Sequence, residues 1–218
     1  MTSTDSGLRR EIIEVATALD AAGLMPNKSG NASCRTAEGF LITPSGLPYR
    51  SLAPEDVVGL PLPAEREPAT GPRPSSEWRM HAAIYLARPE VAAIVHTHSP
   101  RATALACAGK GIPAFHYMIA LAGGAVRCMP YATFGSDALA AHAVKGLEGR
   151  RGVMLANHGV VTVGSTLRRA QAVAIEIENL AGQYLDLLAA GLEPAVLSDD
   201  DMRDVLAKFQ DYGRLERG

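Results

Sequence analysis

The stretch AAIVHTHSP, Ala92 to Pro100, constrains the fold more than any other part of the chain. An apolar run of strand character ends in two histidines separated by one residue. Strand side chains alternate faces, so His96 and His98 point the same way, with Cα atoms roughly 6.5–7 Å apart. Ser99-Pro100 then ends the strand, which places the pair at the edge of a sheet where a site can reach solvent. Two imidazoles at that spacing can chelate one metal ion. Zinc–nitrogen bonds are ~2.0–2.1 Å, and a catalytic zinc usually takes three protein ligands and leaves one position open. The pair alone is a weak signal, because a histidine near a strand end is ordinarily a satisfied polar residue. A third ligand is needed.

His158 is the best candidate, in a tight turn beside Gly159 within GVMLANHGVVTVG. His81, His116 and His142 compete less well. His142 lies in an alanine-rich helical segment, and His116 precedes a tyrosine in a proline-containing loop. His81 lies one helical turn beyond Glu77 on the same face, as a spare ligand or a supporting group. Glu77 opens a helix at SSE, where a carboxylate is favoured by the helix dipole, and locally it reads as a helix-start charge. Ser75 and Ser76 add hydroxyls beside unpaired helix N–H groups, a ready anion site. KSGNAS (Lys28 to Ser33) and TPSG (Thr43 to Gly46) are two more loops rich in small donors. Three such loops beside a metal site point to a phosphorylated substrate.

Around these motifs, helical and β-rich segments interleave, which sets the class as α/β. LRREIIEVATALDAAG reads as a helix stopped near Gly23, and NASCRT with GFLITPSG as a hairpin turning at Glu38-Gly39. SSEWRMHAAIYLARP reads as a helix capped by Ser75 or Ser76 and ended by Pro89. RATALACAG is a short helix, AVRCMPYA contains a strand, and SDALAAHAVKGLEG is a helix capped at Ser136. TLRRAQAVAIEIENLAGQYLDLLAAG is the longest helix, and SDDDMRDVLAKFQDYG is the last. The tight connection at Asn157–Gly159 makes the sheet at least partly antiparallel. The Pro-rich stretch Leu60 to Glu77 is a surface loop within one domain that spans residues 1–218.

Composition excludes several classes of function. The formal net charge of −2 gives no reason to expect a nucleic-acid or membrane-surface partner. No apolar run approaches the ~20 residues of a membrane span, and the N-terminus lacks the apolar core of a secretory signal. Cys34, Cys107 and Cys128 are odd in number and far apart, which suits structural thiols in a reducing cytoplasm.

SGNAS, ITPSG, PSSEWRMH, VHTHS, IPAFHYMIALAGG, PYATFG and ANHGVV, in this order, resemble the class II aldolase/adducin family, and most closely its L-fuculose-1-phosphate aldolase branch. The likeness runs from near Leu8 to FQDYG. It implies an αβα sandwich around a largely antiparallel central sheet. It implies Zn²⁺, replaceable by Mn²⁺ or Co²⁺, one per chain, on His96, His98 and His158. Glu77 matches the catalytic acid/base, which also approaches the metal when no substrate is bound. Tyr117 matches a tyrosine that enters the neighbouring subunit's site, and Tyr212 one in a C-terminal tail that closes over it. On the residues alone, Tyr117 reads as a core tyrosine. Gly30-Asn31, Ser45-Gly46 and Ser75-Ser76 match phosphate-binding loops, and the assembly implied is a homotetramer with inter-subunit sites. Lys28 stands where the fuculose enzymes carry a small or neutral residue, and Pro26 is inserted before the same loop. Lys28 thereby joins the phosphate loops as a candidate.

The implied reaction is reversible cleavage of a 1-phospho-2-ketose to dihydroxyacetone phosphate and a small aldehyde, through a metal-stabilised enediolate. L-Fuculose 1-phosphate, 5-deoxyribulose 1-phosphate and 5-methylthioribulose 1-phosphate are the candidate substrates. Sugar-phosphate 4-epimerases typically carry aspartate in place of Glu77 and lack the HYM tyrosine. A methylthioribulose-1-phosphate dehydratase shares the histidines and glutamate, and only its products distinguish it. A non-enzymatic adducin-like scaffold has no need of the three histidines.

Overall fold

The computed structural model describes residues 3–212 and the side chains of residues 5–209. Its centre is a seven-stranded sheet in the order β3-β2-β1-β4-β7-β6-β5. The strands are β1 (Asn31–Arg35), β2 (Gly39–Ile42), β3 (Val58–Pro61), β4 (Ala93–Thr97), β5 (Arg127–Met129), β6 (Gly152–Leu155) and β7 (Gly159–Gly164). Every pairing is antiparallel except β5 with β6. The helices are α1 (Ser3–Ala21), α2 (Trp78–Ala87), α3 (Pro100–Cys107), α4 (Asp137–Gly146), α5 (Leu167–Ala189) and α6 (Asp199–Tyr212).

The period-two alternation of apolar residues divides the core into two layers. Phe40, Ile42, Ile94, Val153, Leu155, Val161 and Val163 pack against Trp78, Ile84 and Tyr85 of α2 and Leu139 and Ala143 of α4. Ala32, Leu41 and Val95 turn to the other face and meet α1 and the start of α5. Met154 and Val160 on that same face meet α3, α5 and α6. The result is the α/β architecture expected, with helices on both faces of a largely antiparallel sheet. Ser136 caps α4 by accepting from Leu139 N, and Thr166 caps α5 by accepting from Arg169 N. Such a cap is worth about 1 kcal/mol.

Three details differ from the sequence reading. The stretch Leu60 to Glu77 is not loop throughout, because its first two residues belong to the edge strand Val58–Pro61. Neither Ser75 nor Ser76 caps α2; Glu77 occupies the N-cap position and its side chain makes no cap bond. β4 is the central strand, so the histidine pair lies at its C-terminal end rather than at an edge of the sheet. All three cysteines are free, and no helix among the described residues is long and apolar enough to cross a membrane.

Candidate active site

Three imidazoles and a carboxylate converge at the C-terminal end of β4. His96 is the penultimate residue of that strand, and His98 follows its last. His158 comes from the three-residue turn between β6 and β7, where Asn157 takes the left-handed conformation (φ 55°) that asparagine tolerates. The residue after His158 has to be glycine. A Cβ on Gly159 meets the Thr97 carbonyl oxygen at 2.4 Å and the rings of His98 and His96 at 3.1 and 3.2 Å. Gly30 is constrained in the same way, since a Cβ there lies 2.6 Å from the His96 carbonyl oxygen.

The three rings stand nearly perpendicular to one another, with centroids 4.8, 4.9 and 5.0 Å apart. Glu77 Oε2 lies 2.8 Å from His96 Nε2. Glu77 Oε1 lies 3.2 Å from His158 Nε2 but is not aligned for a hydrogen bond, so this buried oxygen has none. One ligand atom from each of Glu77, His96, His98 and His158 lies within 4.8 Å of all the others.

Proton placement explains why such a cluster fits a cation. His96 Nδ1 faces the Val160 carbonyl at 2.9 Å, and a carbonyl only accepts, so Nδ1 carries the proton. In the neutral ring Nε2 is then a lone pair, facing His98 Nε2 at 3.0 Å and the Glu77 carboxylate at 2.8 Å. Acceptors at these separations repel unless a positive charge stands among them. Three neutral nitrogens with an adjacent carboxylate form the donor set of zinc and of other first-row divalent ions.

The electrostatics likewise draw positive charge into the cluster. Burial lowers the proton affinity of His98, and the positive charges of His96 and His158 take it further, to about 3 against the pull of Glu77. Burial alone would raise Glu77, but His96 and His158 together hold it well below the usual carboxylate range. For His96 burial is outweighed by the Glu77 carboxylate, and its proton affinity is raised.

A cleft of about 300 Å³ opens over this cluster. Its walls bring together Lys28, Gly30, Asn31, Ser45, Gly46, Ser75, Ser76, Glu77, His98 and His158. These ten candidates come from five separate stretches of chain. His96 is fully buried beneath them. Lys28 Nζ donates to the Gly46 carbonyl at 3.1 Å, tying the first donor loop to the second. Asn27 and Lys28 both have left-handed backbone (φ 55° and 63°), a conformation that costs of order 1–3 kcal/mol per residue outside glycine.

Other candidates fall elsewhere. Tyr117 does not line this cleft and is no core residue: it begins a 3-10 helix (Tyr117–Ala122), is 53% exposed and stacks on His116. Tyr212 ends α6, and its side chain lies outside the described residues. His116 accepts from Met118 N, and the half-buried His142 donates to the Pro130 carbonyl, so neither joins the cluster. His81 is fully buried and bonded to Ser33 and Asn31. The cleft also uses Tyr131, Phe134 and Asn157, to which the sequence reading gave no role. Tyr131 and Phe134 are 60% and 66% exposed, and an exposed aromatic pair in PYATFG was the signal available.

The sequence pattern of the class II aldolase and adducin N-terminal domain matches residues 10–185. A 5-methylthioribulose-1-phosphate/5-deoxyribulose-1-phosphate aldolase of Rhodospirillum rubrum is 47% identical over 94% of this chain and 92% of its own. An L-fuculose phosphate aldolase of Haemophilus influenzae is 41% identical over 96% of this chain and 97% of its own. The solved structure of an L-fuculose 1-phosphate aldolase superposes with a TM-score of 0.89 at 37% identity, covering 96% of this chain and 98% of that one.

Proposed function

The chain belongs to the class II aldolase and adducin family, and from that premise we propose that it cleaves a 1-phospho-2-ketose reversibly to dihydroxyacetone phosphate and a small aldehyde. The observation that carries the proposal is the cluster of Glu77, His96, His98 and His158 on the floor of a cleft whose walls are three donor-rich loops. The substrate classes are those in the names of its relatives: 5-methylthioribulose and 5-deoxyribulose 1-phosphates, and L-fuculose 1-phosphate.

His96, His98 and His158 hold the metal in this reading, Zn²⁺ first and Mn²⁺ or Co²⁺ as replacements, with Glu77 near enough to be a fourth ligand. When bound, the ion supplies Lewis-acid stabilisation of negative charge on the substrate oxygens beside the bond that breaks. Glu77 moves the proton at the carbon of the three-carbon half, removing it for aldol addition and returning it after cleavage. Burial raises its proton affinity and the histidines lower it, with the histidines prevailing, so Glu77 stands as the ionised carboxylate that can accept a proton.

Gly30, Asn31, Ser45, Gly46, Ser75 and Ser76 surround the phosphate with neutral donors, and Lys28 adds the charge. Holding the phosphate fixes the shared half of every candidate substrate, which supplies orientation before the reaction starts. Tyr131 and Phe134 give the same cleft apolar surface for a short aldehyde chain. Tyr117 acts from a neighbouring subunit of a homotetramer, and Tyr212 closes the site. The whole chain is one domain, working in the cytoplasm.

The test is a cleavage assay on the three phosphates, with and without chelator, measuring dihydroxyacetone phosphate and aldehyde. Both products from at least one phosphate, lost with chelator and restored by zinc, are expected. Loss of water without either product would make the protein a dehydratase.

A further inference from the structure

Below the cleft, five side chains on two elements form one buried chain of hydrogen bonds. Glu77 Oε2 is 3.3 Å from Asn31 Nδ2, and Asn31 Oδ1 is 2.6 Å from His81 Nε2. His81 Nδ1 is 2.7 Å from Ser33 Oγ, and Ser33 Oγ is 2.8 Å from Tyr85 Oη. The relative exposure of the five is 5% or less. The backbone spacing produces this ladder. Glu77, His81 and Tyr85 are four apart, on the face of α2 turned to the sheet. Asn31 and Ser33 are two apart on β1, facing α2.

The charge at one end sets every proton along the chain. The Glu77 carboxylate only accepts, so the amide nitrogen of Asn31 faces it and the amide oxygen faces His81. That oxygen also only accepts, so His81 Nε2 carries a proton. In the neutral ring Nδ1 then accepts from Ser33, and Ser33 accepts from Tyr85. Full burial also favours the neutral ring.

Asn31 also lines the cleft. Its amide has two N–H bonds; one goes to Glu77, and the other is free to meet a phosphate oxygen.

We propose that His81 is a positioning residue: it locks the Asn31 amide so that one group both holds Glu77 and donates to the substrate phosphate. The role rests on the aldolase reading above, and it adds that the phosphate subsite and the acid/base are joined through a single side chain. An unlocked amide can flip and present oxygen to a carboxylate. Glu77 then moves, and misplacement by about 1 Å costs on the order of 10²-fold in rate.

Two measurements on the zinc-loaded protein test it. Nitrogen-15 NMR of the histidine rings, with His81 assigned through its own backbone, reads the tautomer directly. A proton on Nε2 and none on Nδ1 is expected, and a proton on Nδ1 overturns the proposal.

The second measurement compares His81→Gln with His81→Asn. The glutamine amide reaches the position of Nε2 and can still donate to Asn31. The asparagine amide reaches only the position of Nδ1 and Ser33. His81→Gln should keep kcat within roughly 3-fold, while His81→Asn should lose on the order of 10-fold to 10²-fold with zinc content unchanged. Equal losses in the two variants overturn the proposal, since a purely structural role does not distinguish them. A wild-type protein inert on all three phosphates defeats the aldolase reading, and the NMR result still decides the direction of the chain.

Discussion

Glu77 Oε2 and His96 Nε2 lie 2.8 Å apart, with the other carboxylate oxygen buried and unbonded beside His158. A carboxylate placed only to complement a helix dipole points at backbone N–H groups, and Glu77 points at imidazoles. Glu77→Gln keeps the shape and removes the group that takes up the proton. General acid–base steps are worth ~10²–10⁴-fold, so kcat should fall by that order. The three histidines remain, and metal content per chain should be unchanged. A near-normal rate would return Glu77 to a structural role.

The His158 ring contributes to the cluster without being bound into the core as firmly as His96. It is 9% exposed at the side chain where His96 is fully buried, and no hydrogen bond fixes its Nε2. His158→Ala should therefore fold and lose metal. Its loss leaves two histidines and Glu77, and a carboxylate that also has to serve as acid/base holds the ion less firmly than a third imidazole. Metal analysis after dialysis should give well under one ion per chain, with activity lost in proportion. Full metal content in this variant contradicts the ligand set.

Among the described residues, Lys28 is the only lysine or arginine along the cleft. Its ammonium is exposed, so its attraction for a phosphate is screened, and the effect of removing it is modest. Lys28→Met should raise KM for a 1-phosphoketose by on the order of 10-fold, about 1.4 kcal/mol, and leave kcat within about 2-fold. That pattern marks a contact that is equal in the ground and transition states. The difference between wild type and variant should shrink as salt is raised. A fall in kcat with KM unchanged would place Lys28 in the chemistry instead.

Acid should destabilise the fold through His81. Its proton affinity is lowered from 6.5 to about 3, first by burial and then by His96, with Glu77 opposing. Between those values the unfolded ring binds a proton and the folded ring does not. Stability is therefore complete above 6.5 and falls as the pH drops toward 3, by at most ~1.4 kcal/mol per pH unit from this group. His98, lowered to about 3 as well, adds a slope of the same sign. Urea unfolding in chelator at pH 7, 6 and 5 should show a shallower dependence for His81→Gln than for wild type. Identical slopes would mean that the ring is not held neutral.

Much of this was legible locally. The HxH pair on β4 follows from an alternation that any exposed strand end obeys, and Ser136 and Thr166 cap their helices as their positions imply. The spacing of Glu77, His81 and Tyr85 on a helix, with Asn31 and Ser33 on a strand, was legible too, but only the fold places the two faces against each other. The N-cap of α2 was misread because Ser75, Ser76 and Glu77 are all acceptable there, and the choice is made by histidines in other elements. β3 escaped notice because four residues including Gly59 and Pro61 make a weak strand pattern, tolerated at an edge. The parallel pairing of β5 with β6 depends on the α4 crossover between them, which no local signal encodes.

Tyr117 poses the question that a single chain cannot answer by itself. Its side chain is 53% exposed, it lies outside the cleft of its own chain, and its ring is held by His116 and by Phe209 of α6. An exposed tyrosine fixed by aromatic neighbours is accessible to a contact from outside its own chain. In the proposed assembly that partner is the next subunit's cleft, where the hydroxyl donates to the aldehyde oxygen. A head-to-tail interface of this kind repeats around a closed ring, each chain lending one tyrosine and receiving one. Tyr117→Phe should then lower turnover while leaving metal content and assembly intact. Mixing separates action across the interface from action within a chain. Glu77→Gln chains and Tyr117→Phe chains, each inactive or nearly so, are unfolded together and reassembled. Where a Glu77→Gln chain lends its native Tyr117 to a neighbour with native Glu77, a complete site forms and activity returns. Mixed rings that form, as shown by mass, but stay as inactive as their parents would mean that Tyr117 acts within its own chain or not at all.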